Sequence, residues 1–254
     1  AEYLIVTKSM FVDELQPLIN TKSQRMSVKV VTVEQIGAST GSIRNYIIDQ
    51  YANHGTKWVL LAGDVQHVPV AYIEGVPTDL YYAGLDEIPD WYADVYVGRL
   101  SAESESQMRD IVNKTVAYEL DPPREFRGVC LFGAVLFDMY NPYASGKTLK
   151  EHIRTTYLSP AGVNSYGYYQ RDGTLSDSAF VNAVNTYDPI LINAGAHGNP
   201  SLMSIDGWAS HQFVNTSTPG YITNKGFTLY AMSCSTNAFD DTCLGEVMLR
   251  DPDG

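Results

Sequence analysis

Two residues late in the chain have the side chains that nucleophilic catalysis needs. His197 follows the apolar segment PILINAGA, and Cys234 follows the apolar segment FTLYAMS. A cysteine thiolate attacks carbonyl carbons, and a nearby imidazole stabilises the thiolate and then protonates the leaving group. Gly198 would let a substrate approach closely and, with the amide of Cys234, would donate N–H groups to an oxyanion. The pattern predicts acyl-transfer chemistry.

Each of these residues, taken singly, also has a simpler interpretation. His197 could be a turn residue and Cys234 a buried strand end, because unpaired cysteines are most often core residues. Three cysteines cannot form a disulfide framework. Cys130 lies inside the apolar run VCLFGAVLF and Cys243 lies in a helical pattern, so both are predicted to pack in the interior. Cys234 is therefore the one predicted reactive thiol.

The elements around these residues predict a mostly parallel sheet, because short β-branched runs alternate with helical patterns. In such a sheet, ligands bind beyond the carboxyl ends of the strands. The 37 residues between His197 and Cys234 are enough for a crossover between parallel neighbours. The predicted strands are YLIVT, SVKVVTVEQI, WVLLAGD, VYVGRL, GVCLFGAV, SYGYYQ, PILINAGA and GFTLYAMSC. The predicted helices cover residues 11–22, 40–53, 104–119, 145–158, 176–185 and 239–250.

Two irregular stretches and one turn complete the predicted organisation. Residues 67–94 and 198–225 are rich in turn-forming residues and are predicted as long connections. The PPR turn predicts a boundary between an N-terminal subdomain, 1–122, and a catalytic subdomain, 123–254. The sequence ends at DPDG after a helix, without the strand that this helix should feed. We therefore expect the C-terminal part of the second subdomain to be missing.

Several segments in a fixed order resemble one family of enzymes. They are YLIVT, ELQPL and VKVVTVEQI near the start, then WVLLAGDVQHVP, PTDLYYAGLD, DVYVGRLSAES, INAGAHGN and YAMSCSTNAF. Together they resemble the gingipain-type cysteine peptidases over nearly the whole chain. The resemblance implies a caspase-like α/β sandwich of two side-by-side subdomains and endopeptidase activity through an acyl-enzyme. It also implies that His197 is the family's histidine, Cys234 its nucleophile and Gly198 its oxyanion glycine.

The sequence departs from the family pattern at two places. In the best-known members a glutamate orients the catalytic histidine, whereas this chain has Val135 or Leu136 at the matching position in GAVLFD. Asp138 is the nearest carboxylate and is our candidate third catalytic residue, with a turn or capping aspartate as the alternative. The arginine-selective members carry an aspartate at the start of the next helix, where this chain has Gly146. Selectivity for arginine is therefore not expected at that subsite.

Composition limits the partners of the chain. Its 254 residues include 17 Lys and Arg and 29 Asp and Glu, which gives a formal net charge of −12. Such a balance repels nucleic acid and anionic membrane surfaces. The longest apolar run, VCLFGAVLF, is about half of what a bilayer-spanning helix requires. The first residues lack the features of a signal peptide, so any targeting segment is expected to have been removed, and many Tyr, Asn, Ser and Thr residues favour a secreted protein.

Other motifs predict little cofactor chemistry. SGKT lacks the first glycine of a phosphate-binding loop, because residue 141 is asparagine. The histidines show no spacing typical of catalytic zinc, and His211 is predicted to lie at the surface or to line the substrate cleft. No cofactor is expected to be required. One acidic stretch has the oxygen ligands that calcium prefers, with solvated turn carboxylates as the default interpretation. Its members are Asp79, Asp86, Glu87, Asp90 and Asp94.

The sequence thus predicts a secreted cysteine endopeptidase that acts on a protein or peptide. A propeptide, or a separate C-terminal fragment of the same domain, is the expected further partner. Two alternatives stay open. One is a sortase-like transpeptidase on the same fold, in which an amine instead of water resolves the thioester. The other is a catalytically inactive adhesion or scaffold module.

Overall fold

The computed structural model describes residues 1–86, 92–121, 127–136, 146–206, 209–223 and 226–251. It divides the chain into two compact units, Ala1–Leu120 and Asp121–Gly254. Each unit contains a four-stranded sheet in which every strand pair is parallel. Both sheets therefore have a distinct carboxyl end, where functional groups can collect.

The first unit has the sheet order β2-β1-β3-β6. Its strands are β1 (Tyr3–Thr7), β2 (Val28–Thr32), β3 (Trp58–Ala62), the hairpin β4 (Ala71–Ile73) and β5 (Val76–Thr78), and β6 (Tyr96–Leu100). Its helices are α1 (Gln16–Ser23), α2 (Val33–Ile36), α3 (Thr40–His54), α4 (Leu80–Ala83) and α5 (Glu105–Leu120), with a 3-10 turn at Ser9–Phe11.

The core of the first unit forms because successive strand residues point to opposite faces of the sheet. Leu4 and Val6 of β1 pack with Ile43 and Ile47 of α3 in one buried cluster. Ile5, between the two strand residues, is also fully buried. Both faces of β1 are therefore covered, which explains why its apolar residues are consecutive and do not alternate with polar ones.

The second unit has the sheet order β13-β9-β7-β8. Its strands are β7 (Val129–Gly133), β8 (Ser165–Tyr169), β9 (Leu191–Gly195), β10 (His197–Asn199), β11 (Leu202–Ser204), β12 (Gln212–Asn215) and β13 (Thr228–Met232). Its helices are α6 (Gly146–Ile153), α7 (Asp177–Tyr187) and α8 (Leu244–Arg250). A π-helical turn covers Arg154–Leu158, and 3-10 turns cover Gln170–Asp172, Ala209–His211 and Thr218–Tyr221.

An aromatic cluster holds the core of the second unit together. The rings of Phe132 on β7 and Phe180 on α7 lie 4.7 Å apart. Phe213 of β12 stacks on Phe132 at 6.4 Å, and all three side chains are fully buried. Burying a phenylalanine contributes about 2 kcal/mol. The cluster therefore attaches the small antiparallel sheet β10-β11-β12 to the main parallel sheet.

Two glycines let helix α6 begin directly against the end of β7. The Gly146 N–H donates to the carbonyl of Ala134 at 2.8 Å. A β-carbon on Gly146 would lie 2.5 Å from that same oxygen, and one on Gly133 would lie 2.7 Å from the carbonyl carbon of Gly146. No side chain fits at either place without moving backbone. The start of α6 is therefore held at the carboxyl end of the sheet.

Most predicted elements are present, and two of them differ clearly in their bounds. The predicted strand 27–36 ends at Thr32, because residues Val33–Ile36 form helix α2. The reason is a capping box, in which Thr32 caps the helix and the Gln35 side chain accepts the Thr32 N–H at 2.9 Å. The predicted helix 239–250 begins only at Leu244, where Cys243 takes the N-cap position.

The two predicted irregular connections contain short strands. Residues 67–94 include the hairpin of β4 and β5, and residues 198–225 include β10, β11 and β12. These strands are three or four residues long, which is too short for an alternating hydrophobic pattern to show. Among the described residues, no helix is both long and apolar enough to cross a lipid bilayer.

Candidate active site

The strand register brings His197 and Cys234 to the same end of the sheet. Strands β9 and β13 are parallel neighbours, with Gly195 opposite Met232. The pairing continues one residue further, because the Ala196 N–H donates to the Met232 carbonyl at 3.1 Å. His197 lies two residues beyond Gly195, and Cys234 lies two residues beyond Met232. The two residues therefore occupy equivalent positions just past adjacent strand ends, as predicted.

Gly198 brings the segment after the histidine against the segment that carries the cysteine. A β-carbon at this position would lie 2.9 Å from the Cys234 carbonyl oxygen and 2.9 Å from Thr236 Cγ2. It would also collide with the Ser233 hydroxyl. The two segments can approach so closely only because residue 198 has no side chain. The sequence pattern HG thus has a packing reason in addition to its predicted oxyanion role.

The three cysteines differ in exposure as predicted. Cys130 and Cys243 are buried, whereas Cys234 is exposed. Burial raises the pKa of Cys130 to about 12 and that of Cys243 to about 11, because a thiolate loses its hydration in the interior. Ser235, directly after Cys234, has a φ of 56°, a left-handed conformation that turns the chain sharply at the strand end. The Cys234 thiol thus stands on a turn that is open to solvent.

The His197 imidazole has one hydrogen-bond partner among the described residues. Its Nε2 lies 3.1 Å from the backbone carbonyl oxygen of Val135. A carbonyl can only accept, so Nε2 must carry the proton in this contact, which leaves Nδ1 of the neutral ring as an acceptor. Val135 lies in the stretch where the family pattern would place a carboxylate. A main-chain oxygen thus contacts the imidazole at this place, a partner that no side-chain motif could reveal.

The family model described as peptidase family C25 matches residues 1–254, the whole chain. The chain belongs to peptidase family C25. It is 26% identical to Lys-gingipain HG66 of Porphyromonas gingivalis over 263 residues, which cover 97% of this chain and 15% of that protein. It is 24% identical to gingipain R2 of the same species over 121 residues, which cover 46% of this chain and 16% of that protein. The matched segments therefore cover only 15% and 16% of the length of these two relatives.

Solved structures show the same fold. The complex of Porphyromonas gingivalis RgpB pro- and mature domains matches with a TM-score of 0.84 at 19% identity, over 98% of this chain and 60% of that one. The Arg-specific cysteine proteinase gingipain R matches with a TM-score of 0.81 at 20% identity, over 98% of this chain and 59% of that one. These matches confirm the predicted caspase-like α/β fold and the predicted resemblance to gingipains.

The other residues singled out in the sequence of this C25 chain either lie outside the described residues or have contacts of their own. Asp138 lies outside them, so its role stays a prediction. Gly146 leaves no room for an acidic side chain, because it packs against the Ala134 carbonyl. His211 is exposed, and its Nδ1 lies 2.5 Å from Asp206 Oδ2. It lies beside the small sheet whose strand β10 begins at His197, because the neighbouring residue, Gln212, pairs with Ser204 and Ser204 pairs with His197.

The acidic stretch predicted as a calcium site has protein partners at two of its residues. Asp79 accepts two hydrogen bonds from Arg99, each 2.8 Å long. Asp94 accepts the Leu85 N–H at 2.6 Å. Glu87 and Asp90 lie outside the described residues. Within the part of the chain that the structure describes, no group of three or more metal-ligating side chains occurs. Calcium binding therefore stays a prediction.

Sequence reasoning missed a buried amine close to the ends of β9 and β13. Lys150 of α6 is only 1% exposed, and its ammonium donates to the Asn193 side chain. A β-carbon on Gly195 would lie 3.4 Å from the Lys150 amine and 3.3 Å from the Met232 methyl group. Burial lowers the pKa of Lys150 to about 8. A lysine in a helical pattern is normally solvated, so the sequence carries no signal for this burial.

Proposed function

We propose that this C25 chain is the catalytic part of a cysteine endopeptidase with His197 and Cys234 as its dyad. The observation that carries the proposal is the placement of the two residues at equivalent positions past adjacent parallel strands, with the thiol exposed. Membership of the family supports the same reaction class. The chain covers only part of its relatives, so activity, substrate and partners are proposals for the protein that contains it.

The proposed reaction proceeds through a thioester. Cys234 Sγ attacks the scissile carbonyl carbon while its proton passes to His197 Nδ1. His197 then gives that proton to the departing amine, the C–N bond breaks and the acyl group stays on sulfur. Water attacks the thioester with His197 as the base, which releases the carboxylic acid and restores the thiol. The amides of Gly198 and Cys234 are proposed to stabilise the oxyanion of both tetrahedral intermediates.

The Val135 carbonyl supports the assignment of Nδ1 as the atom that exchanges protons. Because this oxygen accepts a hydrogen bond from Nε2–H, with 3.1 Å between the oxygen and Nε2, the imidazole keeps one tautomer and one orientation. The orienting role of a carboxylate is thereby taken by the main chain. Asp138 remains a second candidate for that role. An Asp138→Asn variant distinguishes the two, because it retains turnover if the Val135 carbonyl is sufficient and loses it if Asp138 is the orienting group.

The substrate and partners are proposed in general terms. We expect a protein or peptide substrate in a secreted setting, in keeping with the gingipain relatives. One solved neighbour is a complex of pro- and mature domains, which supports a propeptide as a partner of this chain as well. Gly146 cannot carry the aspartate of the arginine-selective members, so we propose a selectivity other than arginine at that subsite.

Digestion of a peptide library by the purified chain tests the proposal. Wild-type protein should cut peptides at a restricted set of bonds, and Cys234→Ala should cut none while unfolding at the same temperature. Cleavage that persists in Cys234→Ala would overturn the mechanism. Addition of a primary amine during digestion separates hydrolysis from transfer, because an amine adduct that replaces the free acid identifies a transpeptidase. A folded wild-type chain that neither cleaves peptides nor reacts with iodoacetamide at Cys234 at pH 6 would identify the inert module.

A further inference from the structure

The Val135 carbonyl that contacts His197 is itself held by a side chain from another loop. The Val135 N–H donates to Gln170 Oε1 at 2.7 Å, and the Val135 carbonyl accepts His197 Nε2–H at 3.1 Å. The three residues come from three segments of the second unit: the end of β7, the turn after β8 and the start of β10. A chain of two hydrogen bonds thus connects Gln170 to the imidazole.

Val135 needs such a partner because it lies past the end of its strand. The ladder between β7 and β9 ends with Gly133 opposite Gly195, and Ala134 makes one more bond to the Gly195 carbonyl at 2.9 Å. The next N–H, that of Val135, donates to the Gln170 side chain and not to strand β9, and Val135 is 8% exposed. A buried N–H without a partner costs about 1–3 kcal/mol. Gln170 supplies that acceptor and fixes the peptide plane immediately before the Val135 carbonyl.

The turn that carries Gln170 is held by hydrogen bonds on both sides of it. The Gly173 N–H donates to the Gln170 carbonyl at 3.0 Å, which closes the 3-10 turn. Tyr169 and Thr174, which lie before and after the turn, form two hydrogen bonds with each other. The Tyr169 N–H donates to Thr174 Oγ1 at 2.8 Å, and the Thr174 N–H donates to the Tyr169 carbonyl at 3.1 Å.

A salt bridge attaches the same turn to helix α6. Lys147 Nζ lies 2.7 Å from Asp172 Oδ1 and 2.8 Å from Oδ2. The turn is therefore tied to the helix that begins against Ala134, one residue before Val135. Because the turn is held in place, the Gln170 side chain can keep Val135 in position with little loss of entropy when substrate binds.

We propose that Gln170 is a positioning residue that sets the tautomer of His197 through the Val135 main chain. The role rests on the proposed function, because it serves the proton transfer at Nδ1. When the acceptor is removed, the Val135 peptide can rotate toward water, and the imidazole loses the oxygen that selects Nε2–H. The expected kinetic effect is a loss of kcat, since substrate binding does not use this bond.

The test compares Gln170→Leu, which removes the acceptor at similar volume, with Gln170→Glu, which keeps an oxygen at the same place. In the 254-residue chain, Gln170→Leu should lower kcat about 10- to 100-fold, the range known for groups that orient a metal-bound histidine, with KM within about twofold. Gln170→Glu should restore most of kcat. Gln107→Leu is the matched control, because Gln107 Oε1 accepts the Glu103 N–H at 2.8 Å in the first unit, and its kcat should stay within about twofold.

A second measurement does not depend on activity. In protein labelled with ¹⁵N-histidine, two-bond proton–nitrogen spectra report the tautomer of His197, whose signals are identified by their absence in His197→Gln. Wild type should show the Nε2–H form, and Gln170→Leu should show a mixture.

An Nδ1–H ring in wild type, or an unchanged tautomer and kcat in Gln170→Leu, would overturn the proposal. A chain that cleaves no peptide but shows the expected tautomer change would refute the proposed function alone.

Discussion

The two parallel sheets use their carboxyl ends in opposite ways. In the first unit, polar groups at that end bind one another: Thr7 Oγ1 donates to the Ala62 carbonyl at 2.8 Å, and Ser101 Oγ donates to Asp64 Oδ1 at 3.0 Å. These three side chains of Thr7, Asp64 and Ser101 are all buried. In the second unit, the corresponding end presents an exposed thiol and an imidazole whose one hydrogen bond to the described residues goes to a main-chain carbonyl.

Arg99 is a further polar side chain of the first unit whose hydrogen bonds go to other groups of the protein. Its guanidinium donates to both oxygens of Asp79 and to the carbonyls of Gly63 and Val68, each at 2.8 Å. Its side chain is 6% exposed. At least four of its five N–H donors are thus bonded within the protein, and removing one partner of such a buried pair is strongly destabilising. The comparison indicates that the carboxyl end of a parallel sheet can bind or react with a substrate only where some side-chain atoms have no partner within the protein and are exposed to solvent.

The largest contrast should appear between the histidines of the two sheet ends. His197→Ala should lower kcat by about a thousandfold or more, because proton transfer to the leaving group is lost. His67→Ala is the matched control in the first unit, where Nε2 contacts the Glu103 carbonyl at 3.0 Å, and it should keep kcat within about twofold. Steady-state kinetics on a cleaved library peptide measures both. Equal losses in the two variants would remove the functional distinction between the sheets.

Thiol labelling should separate the exposed cysteine from the buried ones. With a pKa raised to about 12, Cys130 holds about a thousandfold less thiolate at neutral pH than an ordinary thiol, and burial excludes the reagent as well. Iodoacetamide at pH 7 should modify Cys234 first and leave Cys130 and Cys243 unmodified in folded protein. Peptide mass mapping checks this, and denatured protein, in which all three react, is the control. Rapid labelling of Cys130 in folded protein would contradict the burial.

The hydrogen bonds of Arg99 in the first unit should stabilise the folded protein. Arg99→Met leaves Asp79 and two carbonyls without their partner, so the free energy of unfolding should fall by about 3–5 kcal/mol. Arg109→Met is the control, because Arg109 forms an ion pair with Glu14 while 58% exposed, and its loss should cost less than about 1 kcal/mol. Urea unfolding curves compare the two. If the free energy of unfolding falls by a similar small amount in both variants, the hydrogen bonds of Arg99 do not stabilise the fold.

A smaller and pH-dependent effect is expected at Lys150. Its pKa falls from 10.5 to about 8 in the fold, so below pH 8 the buried amine is charged and that charge destabilises the folded state. Lys150→Met should raise the free energy of unfolding by about 2 kcal/mol at pH 7. Between pH 8 and pH 10.5 the folded protein loses this proton before the unfolded chain does, so wild type gains stability with rising pH.

The advantage of Lys150→Met over wild type should therefore shrink across that pH range. The difference between the two proteins is the quantity to measure, because buried Cys and Tyr groups titrate equally in both. An advantage that stays constant with pH would contradict an ionised Lys150.

Sequence reasoning reached the parallel sheets through short β-branched runs that alternate with helical patterns, because such units place their strands side by side in one direction. It extended β2 through residues 33–36, since VEQI has apolar ends and the Gln35 cap is a contact that a strand pattern does not show. The three-residue strands β10 and β11 were equally out of reach. Their pairing depends on partners rather than on their own periodicity.

The candidate dyad followed from the sequence because His197 and Cys234 each come directly after an apolar strand, and parallel neighbours present their ends together. Three further features came only from the folded chain: the Val135 carbonyl on the imidazole, the Gln170 side chain behind it and the burial of Lys150. Every residue carries the same backbone carbonyl, so no residue type marks the one that meets a histidine. Side-chain type and order determine which chemistry is available, whereas long-range packing decides which backbone atoms and buried charges surround it.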